Sequence, residues 1–552
     1  MKRVLRLRAV CVLALATIVV SCATPTPELV EKVVTQTVRE TVIVEGTPRT
    51  VEKEVTRVVE VEVTKVVQVE QVPEEQMVVV ALSDDPQSLD RRYASPSMAT
   101  VVLSEQIDGF LVRLDTRSMT FVPELAASWS MSDDGLVWTI YLRRGLTFHD
   151  GSDLTAADVQ WTMNTFRLEE YGGNYVTDYA TIEETRIIDD YTWQVSLGEP
   201  MAPFKFWNMM AFPIYREASG TDLEGEFEPV GLGPFKLVSW KKDVEVVLEA
   251  FDGYVGGRPF LDRVVWRIIP DATVQLAELE AGTVDIVLDL TQDDASRLQA
   301  LEQIEIFEGP GLNFFYLGLN NGTSEPLGNA LVRQAIAHAI DREDIAAIFP
   351  LGATPTNNPL PPTNWAYNPD VSVYEYEPEE ARALLAAAGY ADGFKTTIKL
   401  PAGSAELIPI GEIIKAHLSE IGIEAELVTL EGATFFADIV ARDSEMYVLR
   451  WSNVTDPDFL RLICHSESYL NRVSYANAEV DRLLEKGRIT LNREQRRQVY
   501  HEALAIIAEE VPYVPLVSTD IYHAYNANLV GFGPVVLAYQ FPWYLATVRW
   551  AR

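Results

Sequence analysis

Several short stretches of this 552-residue sequence carry side chains that could take part in catalysis. His149, Asp150 and Ser152 are the residue types of a hydrolase triad. They are neighbours in the chain, however, whereas a triad needs side chains that converge on the nucleophile from separate elements. We therefore assign no catalytic residue and expect a protein that is not an enzyme.

Two further stretches contain residue types that bind metals. His501-Glu502 begins like a zinc-protease helix, but Ala505 occupies the position of the second histidine ligand. Asp456-Pro457-Asp458 offers carboxylates, although a calcium site needs about six or more oxygen ligands and so short a loop supplies few. The sequence therefore predicts no metal site and no cofactor.

The composition excludes another class of function. The formal net charge is −36, and no basic stripe with interleaved aromatic residues is present. Phosphate backbones would be repelled, so we expect no nucleic-acid partner. With 48% hydrophobic residues the chain is long enough for more than one core.

Residues 1–22 have the pattern of a lipoprotein signal peptide. Basic residues precede the apolar run Ala9–Val20, which is shorter than the roughly 20 residues of a membrane-spanning helix. The run ends at Val19-Val20-Ser21-Cys22, which is similar to a bacterial lipobox, where diacylglycerol is attached to the cysteine. The alternative is an ordinary secretory signal. A lipidated Cys22 would anchor the protein to the outer face of the cell membrane.

Residues 23–76 form a low-complexity segment rich in Val, Glu, Thr and Lys. It has no second apolar face to pack, which favours an extended spacer. Its alternation of apolar and charged residues leaves a β-rich, self-associating stalk as the alternative.

The stretch Val122–Trp161 contains an ordered series of local signals. Asp134-Gly135 is a turn dipeptide, and the alternation in Val137–Leu142 predicts a hairpin strand after it. Thr155 and Asp158 have the spacing of a capping box, so a helix is expected to begin near residue 156.

These motifs resemble the signature of the extracytoplasmic solute-binding proteins, family 5, of ABC importers, the oligopeptide-, dipeptide- and nickel-binding type. Gly231-Leu232-Gly233-Pro234-Phe235 and Ala339-Ile340-Asp341-Arg342 extend the likeness. The resemblance implies an α/β, two-lobe, periplasmic-binding-protein-like fold (type II, cluster C) with an extra subdomain in lobe one. The implied segments are lobe I at 77–315 with the subdomain at about 117–224, lobe II at 316–512, and a return to lobe I at 513–552.

The same resemblance implies the function. A monomer would capture a peptide or peptide-like solute between two hinged lobes and deliver it to permease and ATPase subunits. The crossings between the lobes are expected near Leu312–Leu319 and Val511–Pro515. An oligosaccharide or another small solute remains an alternative ligand, and a surface sensing or adhesion protein or an enzyme on this scaffold remains an alternative function.

By the resemblance, two loops line the cleft. Ser83 and Asp84 follow the first strand, Met77–Leu82, and the second loop begins at Arg450-Trp451. Trp451 keeps the family's place and would supply a stacking wall, although a role in the core is the alternative.

The second loop departs from the family pattern. Val454 stands where peptide receptors carry the aspartate that pairs with the ligand's α-amino group, and Arg450 replaces the usual glycine. Ser452 and Asn453 would be neutral hydrogen-bond partners, and Asp456 could shift to replace the missing carboxylate. We therefore expect a solute without an obligatory free α-amine.

Overall fold

The computed structural model of this protein describes residues 32–44, 47–59, 75–92, 97–115, 120–168, 179–217, 219–220, 227–309, 311–322, 326–371, 374–452, 454–531 and 545–551. The chain divides into two compact units, Met1–Glu74 and Glu75–Arg552. The proposed signal peptide, with its lipidation site Cys22, lies outside the described residues.

The first unit contains an antiparallel hairpin of strands β1 (Lys32–Val44) and β2 (Thr47–Val59). Its register runs from Lys32 opposite Val59 to Val44 opposite Thr47. The structure thus differs from the extended spacer expected here and matches the β-rich alternative. The ladder satisfies the backbone polar groups that an extended spacer leaves to water, and the alternating sequence suits its pleat.

The strands of the second unit are, in chain order, β3 (Met77–Leu82), β4 (Gly109–Phe110), β5 (Val112–Asp115), β6 (Thr120–Pro123), β7 (Ala126–Met131), β8 (Val137–Leu142), β9 (Ile182–Asp189), β10 (Thr192–Leu197), β11 (Pro213–Ile214), β12 (Phe235–Lys241), β13 (Glu245–Ala250), β14 (Arg263–Ile268), β15 (Ile286–Val287), β16 (Ile304–Gly309), β17 (Phe314–Leu319), β18 (Thr354–Pro355), β19 (Phe394–Pro401), β20 (Ile423–Leu430), β21 (Met446–Trp451), β22 (Tyr513–Pro515), β23 (Val517–Ser518), β24 (Ile521–Asn526), β25 (Leu529–Val530) and β26 (Arg549–Trp550).

The helices of this unit are α1 (Met98–Ile107), α2 (Ala156–Phe166), α3 (Pro203–Met209), α4 (Ala272–Ala281), α5 (Gln292–Leu298), α6 (Ala330–Ala339), α7 (Arg342–Ala346), α8 (Pro378–Ala387), α9 (Leu407–Glu420), α10 (Gly432–Val440), α11 (Phe459–Cys464), α12 (Ala478–Ile489) and α13 (Arg493–Glu510). Among the described residues, no helix combines the length and apolar character needed to cross a bilayer.

Two mixed sheets form the centres of lobes I and II. The lobe I sheet has the order β12-β13-β14-β3-β15-β24-β16, in which β3 runs parallel to both of its neighbours. The lobe II sheet has the order β20-β19-β21-β17-β22, in which β19 runs parallel to β20 and β21. Each has helices packed on it, in agreement with the α/β class that the resemblance implies.

The subdomain of lobe I is built on the sheet β7-β8-β10-β9, which lies within the expected segment 117–224. Trp138 of β8 stacks on Phe206 of α3 with ring centroids 3.9 Å apart. The capping box of Thr155 and Asp158 is confirmed, and α2 begins at Ala156. A local signal therefore placed this helix correctly.

The crossings between the lobes lie at slightly different positions from those expected. Strands β17 and β22 pair with each other inside the lobe II sheet, with Tyr316 opposite Pro515. The first crossing therefore comes before Phe314, and the second follows Ser518 because β23 still pairs with β18 of lobe II. The boundaries expected at 315 and 513 shift because β17 and β22 pair with each other in the lobe II sheet. The apolar composition of these two strands does not specify which sheet they join.

The two crossing segments are tied together by hydrogen bonds. The side-chain amide of Asn313 donates to the Thr519 carbonyl at 2.9 Å, and the Ser518 hydroxyl donates to the Asn313 carbonyl at 2.7 Å. A Cβ added at Gly311 would lie 1.7 Å from the Thr519 carbonyl oxygen. Only glycine allows the two backbones to approach this closely.

We expect Gly311→Ala to destabilise the protein, by roughly 1–3 kcal/mol, because the two crossing segments must separate to admit the methyl group. Thermal unfolding of the variant should show a lower Tm. The control is Gly432→Ala, at the start of α10, where an added Cβ meets no atom within 4 Å. Equal Tm values for the two variants would contradict the close-approach argument.

Candidate functional site

One side of the candidate cleft is formed where the parallel strands of the lobe I sheet end, at their carboxyl termini. Because β3 and β15 are parallel neighbours, their carboxyl ends meet at this edge. Ser83 and Asp84 follow β3, and Asp289 follows β15. With Thr291 they line a cavity of about 200 Å³. The Ser83 hydroxyl donates to Asp84 Oδ1 at 3.0 Å.

The other side is formed where the parallel strands of the lobe II sheet end, again at their carboxyl termini. Strands β19 and β21 are parallel neighbours, so the loop after β19 lies beside the end of β21. Glu406 comes from that loop, and its Oε2 is 3.4 Å from Arg450 Nη1 of β21. The Arg450 guanidinium also lies over the Phe315 ring, 5.7 Å from its centroid.

Asp289 lies beyond the strand ends of lobe I, and Arg450 lies at the strand ends of lobe II. The Asp289 side chain is 52% exposed, yet the surrounding protein limits its hydration and raises the pKa of its carboxyl. The positive charge of Arg450 lowers that pKa in part.

Trp451, at the end of β21, is held in an aromatic cluster. Its ring is nearly parallel to that of Tyr316, at 6.3 Å, and meets Phe459 edge-on at 5.2 Å. The Arg472 guanidinium lies 5.0 Å from its centroid. Its indole N–H has no hydrogen-bond partner among the described residues. Trp451 therefore has the packing of a core residue and an unsatisfied donor beside the cleft.

The residues after Trp451 have different environments. Ser452 is exposed, whereas Asn453 lies outside the described residues. Val454 is 1% exposed, and its backbone is bound on both sides: its N–H donates to the Leu312 carbonyl at 2.9 Å, and its carbonyl accepts from the Asn364 amide at 3.0 Å. The position where peptide receptors carry an aspartate is thus apolar and buried here.

The ligand-binding role expected for Asp456 does not agree with its geometry. Asp456 is 6% exposed and accepts two hydrogen bonds from the Arg496 guanidinium, at 2.6 and 2.7 Å. Burial alone would lower the pKa of Arg496, and the Asp456 carboxylate raises it above its ordinary value. Asp456 also accepts from the Asp458 amide at 2.8 Å. Its carboxylate is therefore a structural ion-pair partner.

The structure also adds residues that the sequence reasoning missed. Asp289, Glu406 and Arg472 approach the predicted residues only through the sheet order and the packing of the loops. One usable signal existed for Asp289, because it directly follows the apolar run Ile286–Leu288, and ligands of α/β sheets bind beyond the carboxyl ends of strands.

We expect Asp456→Asn to lower the free energy of unfolding by roughly 3–5 kcal/mol, because it leaves the Arg496 charge buried without its counter-ion. Urea unfolding of the solute-free protein measures this. The control is Glu479→Gln, which breaks the exposed pair with Arg482 and should have a much smaller effect. If the free energy of unfolding is unchanged and solute binding is impaired, Asp456 contacts the ligand and the structural role is wrong.

Comparisons with known proteins agree with this geometry. The family profile of the bacterial extracellular solute-binding proteins, family 5 middle region, matches residues 120–469. Heme-binding protein A of Haemophilus influenzae is 31% identical over 467 residues, which cover 78% of this chain and 83% of that protein. Glutathione-binding protein GsiB of Salmonella choleraesuis is 30% identical over 473 residues, covering 82% and 91%.

Among solved structures, the ABC transporter-associated periplasmic binding protein DppA of Helicobacter pylori, in complex with the peptide STSA, superimposes with a TM-score of 0.72. The two chains are 27% identical, and the match covers 86% of this chain and 98% of DppA. This chain therefore belongs to the bacterial extracellular solute-binding proteins of family 5 and has their type II, two-lobe α/β fold.

Proposed function

We propose that this protein is the receptor of an ABC importer and that it captures a peptide or peptide-like solute between its lobes for delivery to a membrane permease. The observation that carries the proposal is the cavity of about 200 Å³ at the carboxyl ends of β3 and β15, lined by Ser83, Asp84 and Asp289. A solute that touches both edges favours the closed arrangement, because it makes both sets of contacts only there. The relatives named above are binding proteins, which supports capture without chemical conversion.

Arg450 is the group of the cleft that would bind a solute carboxylate. Glu406 lies 3.4 Å from its Nη1, and the remaining N–H groups of the guanidinium can donate to a solute carboxylate in a fixed geometry. The apolar Val454 and the engaged Asp456 leave the family's usual place for a ligand α-amine without a free carboxylate. A peptide with a blocked or modified amino terminus meets both conditions.

An oligosaccharide is less well supported by the surroundings of Trp451. Sugar rings stack on open aromatic faces, whereas Tyr316 lies parallel to Trp451 and the Arg472 guanidinium also lies over the ring. We therefore retain the peptide-like solute as the proposed ligand, with Ser83, Asp84, Arg450, Trp451, Ser452 and Asn453 as its proposed contacts.

Arg450→Gln should weaken solute binding at least about tenfold, because it removes one charge-assisted contact. The solute is first identified by mass spectrometry of peptides retained from a mixture of di- to pentapeptides, half of them N-acetylated. Calorimetry then compares wild type, Arg450→Gln and the control Arg482→Gln, which alters an exposed ion pair. Retention of free peptides alone, or equal affinities of the three proteins, would contradict the proposed ligand class.

The amino-terminal motif supports a lipid anchor at Cys22. We expect Cys22→Ala to move the protein from the membrane fraction to the soluble fraction, because one thioether-linked diacylglycerol supplies the buried methylenes that hold it. Metabolic labelling with palmitate followed by fractionation measures both effects. Wild-type protein that takes up no label would exclude the anchor, while leaving the proposed solute binding untouched.

A further inference from the structure

A second cavity, of about 220 Å³, lies between the subdomain of lobe I and lobe II. Trp129 and Trp207 line it from the subdomain, and Trp365, Arg493 and Arg496 line it from lobe II. We call it the tryptophan cavity. Among the described residues it shares no lining side chain with the cavity at Ser83 and Asp84.

The apolar walls of the tryptophan cavity are aromatic. Trp129 and Trp207 meet edge-to-face with ring centroids 4.5 Å apart, and Trp207 is 3% exposed. Aromatic groups prefer this edge-to-face or an offset-stacked arrangement, so a further ring can extend the cluster. Drug-sized ligands occupy pockets of about 300–1,000 Å³, so the smaller volume here suits a single ring with a short substituent.

The charged groups that line the cavity are the guanidinium groups of Arg493 and Arg496. The indole nitrogens of Trp207 and Trp365 are fully buried, so an occupant does not reach them. An occupant is therefore expected to accept hydrogen bonds from a guanidinium.

The two arginines differ in their charge balance. Arg496 is paired with Asp456, whereas within the described part of the chain no carboxylate lies at salt-bridge distance from Arg493. The Arg493 guanidinium lies over the Trp365 ring, 4.9 Å from its centroid. Burial lowers the pKa of Arg493, and the Asp456 carboxylate offsets this in part, so a nearby anion would further stabilise its charged form.

We propose that the tryptophan cavity is a second binding site and that it takes a small aromatic carboxylate. The ring lies among the tryptophans, and the carboxylate accepts hydrogen bonds from Arg493. The site shares no lining side chain with the cavity at Ser83 and Asp84 among the described residues.

Occupancy of this cavity would also act on closure. The subdomain and lobe II already touch beside it: the Ala202 N–H donates to the Arg488 carbonyl at 3.1 Å, and Arg488 Nη1 is 3.3 Å from Glu199 Oε1. A ligand that contacts both sides favours the arrangement in which these contacts form.

The test is calorimetric titration of phenylacetate into the detergent-solubilised full-length protein. Cyclohexylacetate lacks the aromatic ring and benzyl alcohol lacks the charge, so each should bind at least about tenfold more weakly. Arg493→Gln should weaken phenylacetate binding by a similar factor. The matched control on the same helix is Arg497→Gln, whose side chain pairs with Glu494 and is expected to leave binding unchanged.

Two more variants separate this site from the cleft. Trp365→Leu removes one aromatic wall of the cavity, so it should weaken phenylacetate more than cyclohexylacetate. Arg450→Gln alters only the cleft and should retain phenylacetate binding. Absence of binding to wild type, equal affinities of Arg493→Gln and Arg497→Gln, or loss of binding in Arg450→Gln alone would each overturn the proposal.

Discussion

The buried ion pair between Asp456 and Arg496 connects the functional parts of this molecule. Arg496 comes from α13 and also donates to the Gly487 carbonyl at 2.9 Å, which ties α13 to α12. Asp456 fixes the loop that follows Trp451. Two residues on, Asp458 lies 3.3 Å from Lys205 of the subdomain, and despite burial the surrounding cations lower the pKa of Asp458. The Asp456–Arg496 pair thus positions the loop after Trp451 against α12 and α13. The same loop carries Asp458, which pairs with Lys205 of the subdomain.

The binding cleft follows from the sheet topology. Each lobe has a pair of parallel neighbours, β3 with β15 and β19 with β21, whose carboxyl ends place polar loops at one edge. Inside a strand the backbone N–H and C=O groups are hydrogen-bonded to the neighbouring strands. Beyond the strand ends, backbone groups and side chains can bind other partners. The crossings bonded through Asn313 join the lobe I sheet, whose strand β15 is followed by Asp289, to the lobe II sheet, whose strand β21 contains Arg450.

Specificity within this scaffold is expected to rest on few positions. Heme-binding protein A and glutathione-binding protein GsiB are named for different ligands, and the superimposed DppA holds a peptide, on one fold. The core that builds the lobes is therefore compatible with different ligands. For this chain we propose that the guanidinium of Arg450 and the apolar side chain of Val454 set the charge presented to a solute.

The sequence by itself determined the elements whose signals are local. The capping box at Thr155 set the start of α2, and Gly282, with φ of 71°, ends α4. Tertiary structure alone decided which sheet receives β17 and β22, and it gave Asp456 a partner forty residues away, at Arg496. The physical reason is range: caps and turns are satisfied by residues within one turn of the chain, whereas the partner of a buried strand or charge depends on how distant segments pack.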